Sequence, residues 1–511
     1  MRRTAQLWTL MAALVAAAFA LRTLVLIDAT ALWSDELYSV GKSFQPSPLE
    51  LLGMLRQDTH PPLYYGLLWF WGQLVGQSPV SLRLLSWLAY LGGGAVMVAQ
   101  AVALSDGRQR VLPLTLLLAL CSPYPVRFAI EGKSYALLVL LVALAWWWRR
   151  AERSVAYGVV AALAGLTHFY GLFLMLAAAA WDGASRRWHL AGAAVLGAIP
   201  ALGWIIYSAD YLFSSRSGSW IGQPDFALLE ESLARALGLW PLPKLLLLVV
   251  LIGGLQRWGG MQPLPWRRNR LLDRSALLPS AVMVLAVVLV SFVKPLAFSR
   301  YFVVLLPSVL PLLCVLLTAS PLHHWGQRVV LGVVVVLLIS WWGPGFSELD
   351  PTAGGVREQD QFRAISQRTN GQRERYSPRA RLFNLSDQME LSMGRITAPE
   401  LPWGDRDELR ERLLRPPLPD ELWLASSGPP QKLNRKLKPL QQQAEAAGYV
   451  CADRSGGLSH GRLLRCRLGS RGPLLRGSAL WFLDRQVARD RRSGDPPAAQ
   501  AVPARVSHPV G

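Results

Sequence analysis

The chain is broken into apolar runs of roughly 11–22 residues, and no other feature constrains its fold as much. The longer runs match the helix of about 20 residues that crosses ~30 Å of hydrocarbon. Val111 to Cys121, Ser134 to Trp148 and Ala276 to Val293 are typical. Two or three soluble cores could also hold the apolar mass of 511 residues that are 52% hydrophobic and 17% charged. The arrangement argues otherwise, because short Arg-rich loops separate many of the runs. The reading is an α-helical polytopic membrane protein with about eleven spans. They fall near 7–27, 81–104, 111–130, 134–148, 154–167, 170–182, 188–207, 241–256, 277–293, 301–318 and 328–343.

The formal net charge of +20 invites a nucleic-acid reading. The basic residues reject it: they occupy every second loop rather than one face or arm, as the positive-inside rule expects of a membrane protein. Arg2/Arg3, Arg108/Arg110, Arg149/Arg150/Arg153, Arg186/Arg187, the set from Arg257 to Arg274, and Arg328 then mark the cytoplasmic side. The N-terminus is expected to be cytoplasmic. Ala18-Phe19-Ala20 resembles a signal cleavage site, but the apolar run continues to Ile27, which favours a retained first span. Leu63 to Gly76 is not counted as a span, because counting it would put the Arg-rich loops on alternating sides. It reads as an aromatic helix along the outer interface of the cell (inner) membrane, inside a first outer loop of about residues 28–80.

An odd span count places the C-terminal part outside. Residues 344–470 alternate short apolar strands (Arg381 to Asp387, Glu421 to Ser427) with helical segments (Asp407 to Leu414, Lys438 to Tyr449), a small extracytoplasmic α/β domain. Residues 471–511 read as an amphipathic segment and a disordered tail, rich in Arg, Pro, Ala and Ser from about Arg489. Cys121 and Cys314 sit in apolar runs as packing residues. Cys451 and Cys466 flank a turn-rich stretch on a candidate hairpin; a disulfide and two unpaired thiols both remain open.

The residues able to carry chemistry fall on the outer side of this topology. Asp35 and Glu36 follow the first span within Leu32 to Val40. Acids there suit the first turn of a helix, yet paired carboxylates at a lipid interface are costly and usually functional. A carboxylate in that place can take a proton from a hydroxyl. His60-Pro61-Pro62 forms a stiff turn, and Arg83 stands at the mouth of the next span, where it can snorkel. Arg127, Glu131 and Lys133 lie in the second outer loop, either as an interfacial ion-pair set or as ligand contacts. His168 and Arg300-Tyr301 complete the outer set, with Arg300 either an interface anchor or a phosphate clamp.

In order along the chain stand WSDE, HPPLYY, RLLSWLAYLGG, SPYPVRFAIEGKSYAL, THFYG and SRYF. Over roughly residues 5–345 this ordered set resembles the bacterial membrane glycosyltransferases of the GT-C superfamily. It is most similar to the branch of the protein O-mannosyltransferases and lipid A aminoarabinose transferases. The resemblance implies a sugar donor on a polyprenyl phosphate and an inverting transfer to a hydroxyl of a lipid, glycan or protein. It makes Asp35 the catalytic acid, with Glu36 its neighbour. It assigns donor contacts to Arg300 and Tyr301 and to Arg127, Glu131 and Lys133, leaving His60, His168 and Arg83 as further cavity candidates. Where relatives often have Glu-Ala-Arg, this chain has Glu131-Gly132-Lys133, and a lysine meets phosphate as a point charge without the guanidinium fork. Some relatives use a divalent metal; no spacing here marks a metal motif. A lipid-linked-sugar flippase or other transporter and a polysaccharide polymerase or ligase are the alternatives.

Overall fold

The computed structural model describes residues 2–29, 32, 34–106, 111–122, 126–214, 221–232, 268–318, 331–332, 334–336, 364–365, 367, 381–384, 403–404, 406–427, 430–456, 458 and 461–469. The chain divides into two compact units, Met1–Gln359 and Asp360–Gly511. The expected span at 241–256, most of that at 328–343, and the segment 471–511 lie outside the described residues.

The first unit is helical. Its elements are α1 (Arg2–Ala29), α2 (Ser34–Ser43), α3 (Pro48–Leu55), α4 (Leu63–Val75), α5 (Pro79–Leu104) and α6 (Leu112–Cys121). Then follow α7 (Tyr135–Arg150), α8 (Ser154–Thr167), α9 (Phe169–Ala184), α10 (Trp188–Tyr207), α11 (Arg268–Arg274), α12 (Leu277–Ser291) and α13 (Leu306–Thr318). A 3₁₀ segment, Ser299–Leu305, runs directly into α13. Among the described residues, four helical stretches are long and apolar enough to cross a bilayer: Gln6–Asp28, Pro79–Leu104, Trp188–Tyr207 and Ser299–Thr318. Shorter apolar helices accompany them at Leu112–Cys121, Ser154–Thr167, Phe169–Ala184 and Leu277–Ser291.

The helix ends follow local chemistry. Ser78 caps α5 by accepting from the Ser81 amide, and Pro79 takes the first helical position, where no amide hydrogen is needed. Ser47 and Glu50 cap α3 in the same way, with the serine hydroxyl also donating to the Glu50 carboxylate. The run expected as a span over 111–130 is shorter as a helix, ending at Cys121. Ser122 precedes a proline and is extended (φ −69°, ψ 119°), since a residue before proline is driven out of the α region. Helices α8 and α10 touch through small residues: a Cβ on Gly197 would lie 2.5 Å from the Gly158 carbonyl oxygen.

The two ends of this bundle differ. At one end, Arg149 and Arg187 share Asp182 and Asp273. Arg149 donates to both Asp182 carboxylate oxygens at 2.9 and 2.6 Å, and Arg187 donates to both Asp273 oxygens at 2.7 and 2.8 Å. This brings the ends of α7, α9 and α11 and the start of α10 together, joining three of the Arg-rich segments assigned to one side. The opposite end of α7 leads into the loop that carries Glu131.

The second unit holds a five-stranded sheet, order β2-β1-β3-β5-β4, from β1 (Arg381–Asn384), β2 (Trp403–Gly404), β3 (Glu421–Ser427), β4 (Tyr449–Asp453) and β5 (Gly461–Leu468). The β1 strand pairs parallel with β2 and β3; the β3-β5-β4 part is antiparallel. Helices α14 (Arg406–Leu414) and α15 (Pro430–Ala446) supply Leu409, Leu437 and Leu440 to a core with Leu422, Leu424 and Leu464. Helix α15 starts eight residues before the expected Lys438, on a proline suited to a helix start, and its chain turns out at Gly448 (φ +96°). Cys451 lies opposite Cys466 across β4 and β5, and the two are disulfide-bonded.

Candidate active site

Successive side chains on a helix diverge by about 100°, so the paired acids at the start of α2 cannot serve one place. The Asp35 side chain is 31% exposed and pairs with Arg300, whose Nη1 lies 3.0 Å from its Oδ2. The Glu36 side chain is 0% exposed and turns inward. Its Oε1 accepts from Arg83 Nε at 2.7 Å and from the Gly132 amide at 2.8 Å, and its Oε2 accepts from Arg83 Nη2 at 2.6 Å. Arg83 also donates to the Ile27 carbonyl at 2.8 Å, so one buried ion pair ties α1, α2, α5 and the loop that carries Gly132.

That tie explains the glycine of Glu131-Gly132-Lys133. A Cβ at Gly132 would lie 2.4 Å from Leu82 Cγ, while its amide serves Glu36. Lys133 then reaches back to donate to the Asp35 carbonyl at 3.1 Å. Glu131 is buried, with Oε1 3.8 Å from Arg300 Nη1 and no hydrogen-bond partner for that oxygen among the described residues. Arg83 is therefore part of the scaffold, not a snorkelling residue at the rim. Removing one side of a buried ion pair costs about 3–5 kcal/mol, because the other charge is stranded. Arg83→Met should accordingly lower the thermal midpoint of the detergent-solubilised protein by a wide margin. An unchanged midpoint would contradict the assignment.

Burial raises the Asp35 pKa, but Lys133 first, then Arg300 and His60, outweigh it and hold the carboxyl below its ordinary value. Burial pushes Glu131 above its ordinary value despite Arg300 and Arg127 nearby. Burial pushes Lys133 down, against the pull of Asp35. Asp35 and Glu131 thus share one cation, Arg300, while Lys133 is bonded to the Asp35 main chain.

Behind this set lies a layer of rings. His60 Nδ1 is 3.0 Å from Asp58 Oδ1, and Asp58 also pairs with Lys42. Burial holds His60 below its ordinary pKa and His168 further below. His168 Nδ1 accepts from the Tyr170 amide at 3.1 Å, capping α9, which leaves its proton on Nε2. Its ring packs against His60 at 5.9 Å and Tyr301 at 4.9 Å between centroids. Arg127 lies over the Phe128 ring at 5.0 Å and acts on Glu131 through its field.

Asp35, Glu131, Lys133 and Arg300 are thus brought together, with His60, His168 and Tyr301 behind them. Glu36 and Arg83 face away, into the scaffold. Sequence reasoning passed over Lys42 and Asp58. Lys42 lies two helical turns beyond Asp35 on α2, and Asp58 stands two residues before His60; both spacings were available as signals. Among the described residues no three His, Cys, Asp or Glu side chains gather as a metal-holding group. Asp35, Glu36 and His60 are instead engaged by Arg300, Arg83 and Asp58.

No family model matches the chain, and no curated protein matches it. Solved structures do. The crystal structure of ArnT from Cupriavidus metallidurans in the apo state matches with a TM-score of 0.54 at 15% identity, over 90% of this chain and 98% of that one. The structure of the same protein bound to undecaprenyl phosphate matches at 0.53 and 14% identity, with the same coverage. The resemblance carried by the ordered motifs holds at the level of the fold: over nine-tenths of its length, this multi-pass membrane chain has the fold of ArnT.

Proposed function

We propose that this chain is a glycosyltransferase that moves a sugar from a polyprenyl-phosphate donor to an acceptor hydroxyl at the extracytoplasmic face. The observation that carries the reading is the cluster of Asp35, Glu131 and Lys133 around Arg300, at the end of the bundle opposite the Arg149–Asp182 network. The fold neighbour crystallised with undecaprenyl phosphate supports a donor of that class. The Cys451–Cys466 disulfide supports an oxidising compartment for the C-terminal unit.

In the proposed reaction Asp35 accepts the proton of the acceptor hydroxyl. The acceptor oxygen bonds to the anomeric carbon from the face opposite the leaving group. The carbon–oxygen bond to phosphate breaks, and the polyprenyl phosphate departs with the bonding pair. Configuration inverts. Arg300 carries the growing phosphate charge, and Lys133 adds a point charge behind Asp35. The unpartnered oxygen of Glu131 is placed to receive a hydroxyl of the transferred sugar. Glu36 and Arg83 position Asp35 and take no part in the chemistry.

In this reading Arg300, which meets Asp35 through Nη1, shares its donors between Asp35 and the phosphate. Donor binding draws the guanidinium toward phosphate, which raises the basicity of Asp35 when a base is needed. In the free protein Asp35 is held below its ordinary value, so kcat/KM should show no acid limb near neutrality. Lys133→Met removes the largest influence that lowers Asp35, and the acid limb should move to higher pH. A limb that stays in place would detach Asp35 from the pH profile.

The reading itself is tested with a donor labelled in both sugar and phosphate. A transferase releases one free polyprenyl phosphate for each sugar that reaches an acceptor. Movement of intact donor across the bilayer without release would replace it with a carrier.

A further inference from the structure

His60 and His168 stand edge to face, 5.9 Å between ring centroids, and their surroundings fix opposite tautomers. At His60 the hydrogen bonds fall on Nδ1. Asp58 Oδ1 lies 3.0 Å from it, and the Thr59 hydroxyl, 3.2 Å away, donates to the same carboxylate. Burial raises the Asp58 carboxyl, but Lys42 and then His60 outweigh it and hold it well below its ordinary value. A carboxylate only accepts, so Nδ1 carries a proton. Burial first, with Lys42 and Lys133, keeps the ring below its ordinary pKa against the pull of Asp58. A second proton is therefore disfavoured, and Nε2 presents a lone pair. Lys42 takes up the charge with which Asp58 would otherwise draw that proton onto the ring. At His168 the order is reversed: Nδ1 accepts the Tyr170 amide, so Nε2 carries the proton. Among the described residues neither Nε2 has a hydrogen-bond partner.

We infer that the two Nε2 atoms form one subsite for a hydroxyl of the transferred sugar. The inference rests on the proposed function, which brings the sugar to Asp35 and Arg300, and it specifies a group that the sugar must present. Of the groups that sugars carry, a hydroxyl donates and accepts through one atom. An ammonium only donates, which leaves the His168 proton unmet. Phosphate and carboxylate oxygens only accept, and they would face the lone pair of His60. Two hydrogen bonds of about 2.8 Å to one oxygen fit the separation of the rings. Tyr65 lies beside His60 at 5.9 Å, and Tyr301, the neighbour of Arg300, lies beside His168 at 4.9 Å. Apolar ring surface thus surrounds two placed polar atoms, the usual make-up of a small-ligand pocket. This hydroxyl is separate from the one assigned to Glu131.

The test measures binding without an acceptor, so it needs no turnover. Polyprenyl phosphates carrying glucose, galactose, mannose or arabinose are compared, and the tightest is remade with each hydroxyl removed in turn. One deoxy sugar should bind the wild type roughly ten- to a hundredfold more weakly, because both nitrogens are left unpaired. His60→Phe keeps a ring and removes the lone pair. His168→Asn removes the ring donor and keeps a residue type that caps α9. Both variants should lose discrimination against that same hydroxyl and keep it against the others. A loss of affinity spread equally over every sugar would make the rings structural and overturn the subsite. Selection of different hydroxyls by the two histidines, or of none, would also overturn it, as would a sugar that binds no better than bare polyprenyl phosphate. Wild-type protein that discriminates as expected yet releases no polyprenyl phosphate would remove the enzyme reading and keep the subsite. Transfer without discrimination would do the reverse.

Discussion

Asp35→Asn is expected to lower the transfer rate by at least about 10²–10⁴-fold, the usual contribution of a positioned general base. The amide keeps the volume of the carboxylate and loses its charge and its ability to hold a proton. The fold should survive, because Lys133 bonds the main-chain carbonyl of Asp35 and not its side chain, and Asp35 is partly exposed. Melting temperature and donor binding should stay near wild type. Glu36→Gln is the contrasting variant: it leaves Arg83 buried against a neutral partner, so its loss should appear in stability before rate. A purified Asp35→Asn protein that transfers at the wild-type rate would remove Asp35 from the mechanism.

Arg300→Ala should have the second-largest effect. Losing a charge-assisted contact to phosphate costs about 1.5–3 kcal/mol in donor binding, and losing leaving-group stabilisation costs a further 10²–10³ in kcat by order of magnitude. The acceptor KM should hold. The variant also leaves Asp35 and Glu131 without the cation they share, so the acid limb should rise along with the loss in rate. Arg300→Lys should recover part of the rate, since charge is kept and the planar fork is lost. A change confined to the acceptor KM would reassign Arg300.

Most of the helical frame was legible because hydropathy and caps act locally. Ser154–Thr167 and Trp188–Tyr207 begin and end where their apolar runs do. The overlong reading of 111–130 came from weighing apolar content above Ser122-Pro123, where proline sterics end the helix. A count of loop charges put the outer residues at one level in the sequence reading, and the structure packs His60 against His168 and pairs Arg300 with Asp35 and Glu131. What stayed hidden was pairing across distance. Nothing local joins Glu36 to Arg83, 47 residues away, or separates the inward acid from the outward one beside it. The Cys451–Cys466 bond likewise depends on the register of β4 against β5, which two turn-bounded strands do not specify alone.

The central claim, that Arg300 and Asp35 face the two ends of one breaking bond, is tested most directly by the structure of the Asp35→Asn protein with an intact polyprenyl-phosphate sugar. The account predicts the phosphate within hydrogen-bond distance of Arg300. It also predicts the anomeric carbon between that phosphate and residue 35, and a sugar hydroxyl on Glu131. A donor bound with its phosphate away from Arg300, or with the sugar on the side of the Arg149–Asp182 network, would contradict it.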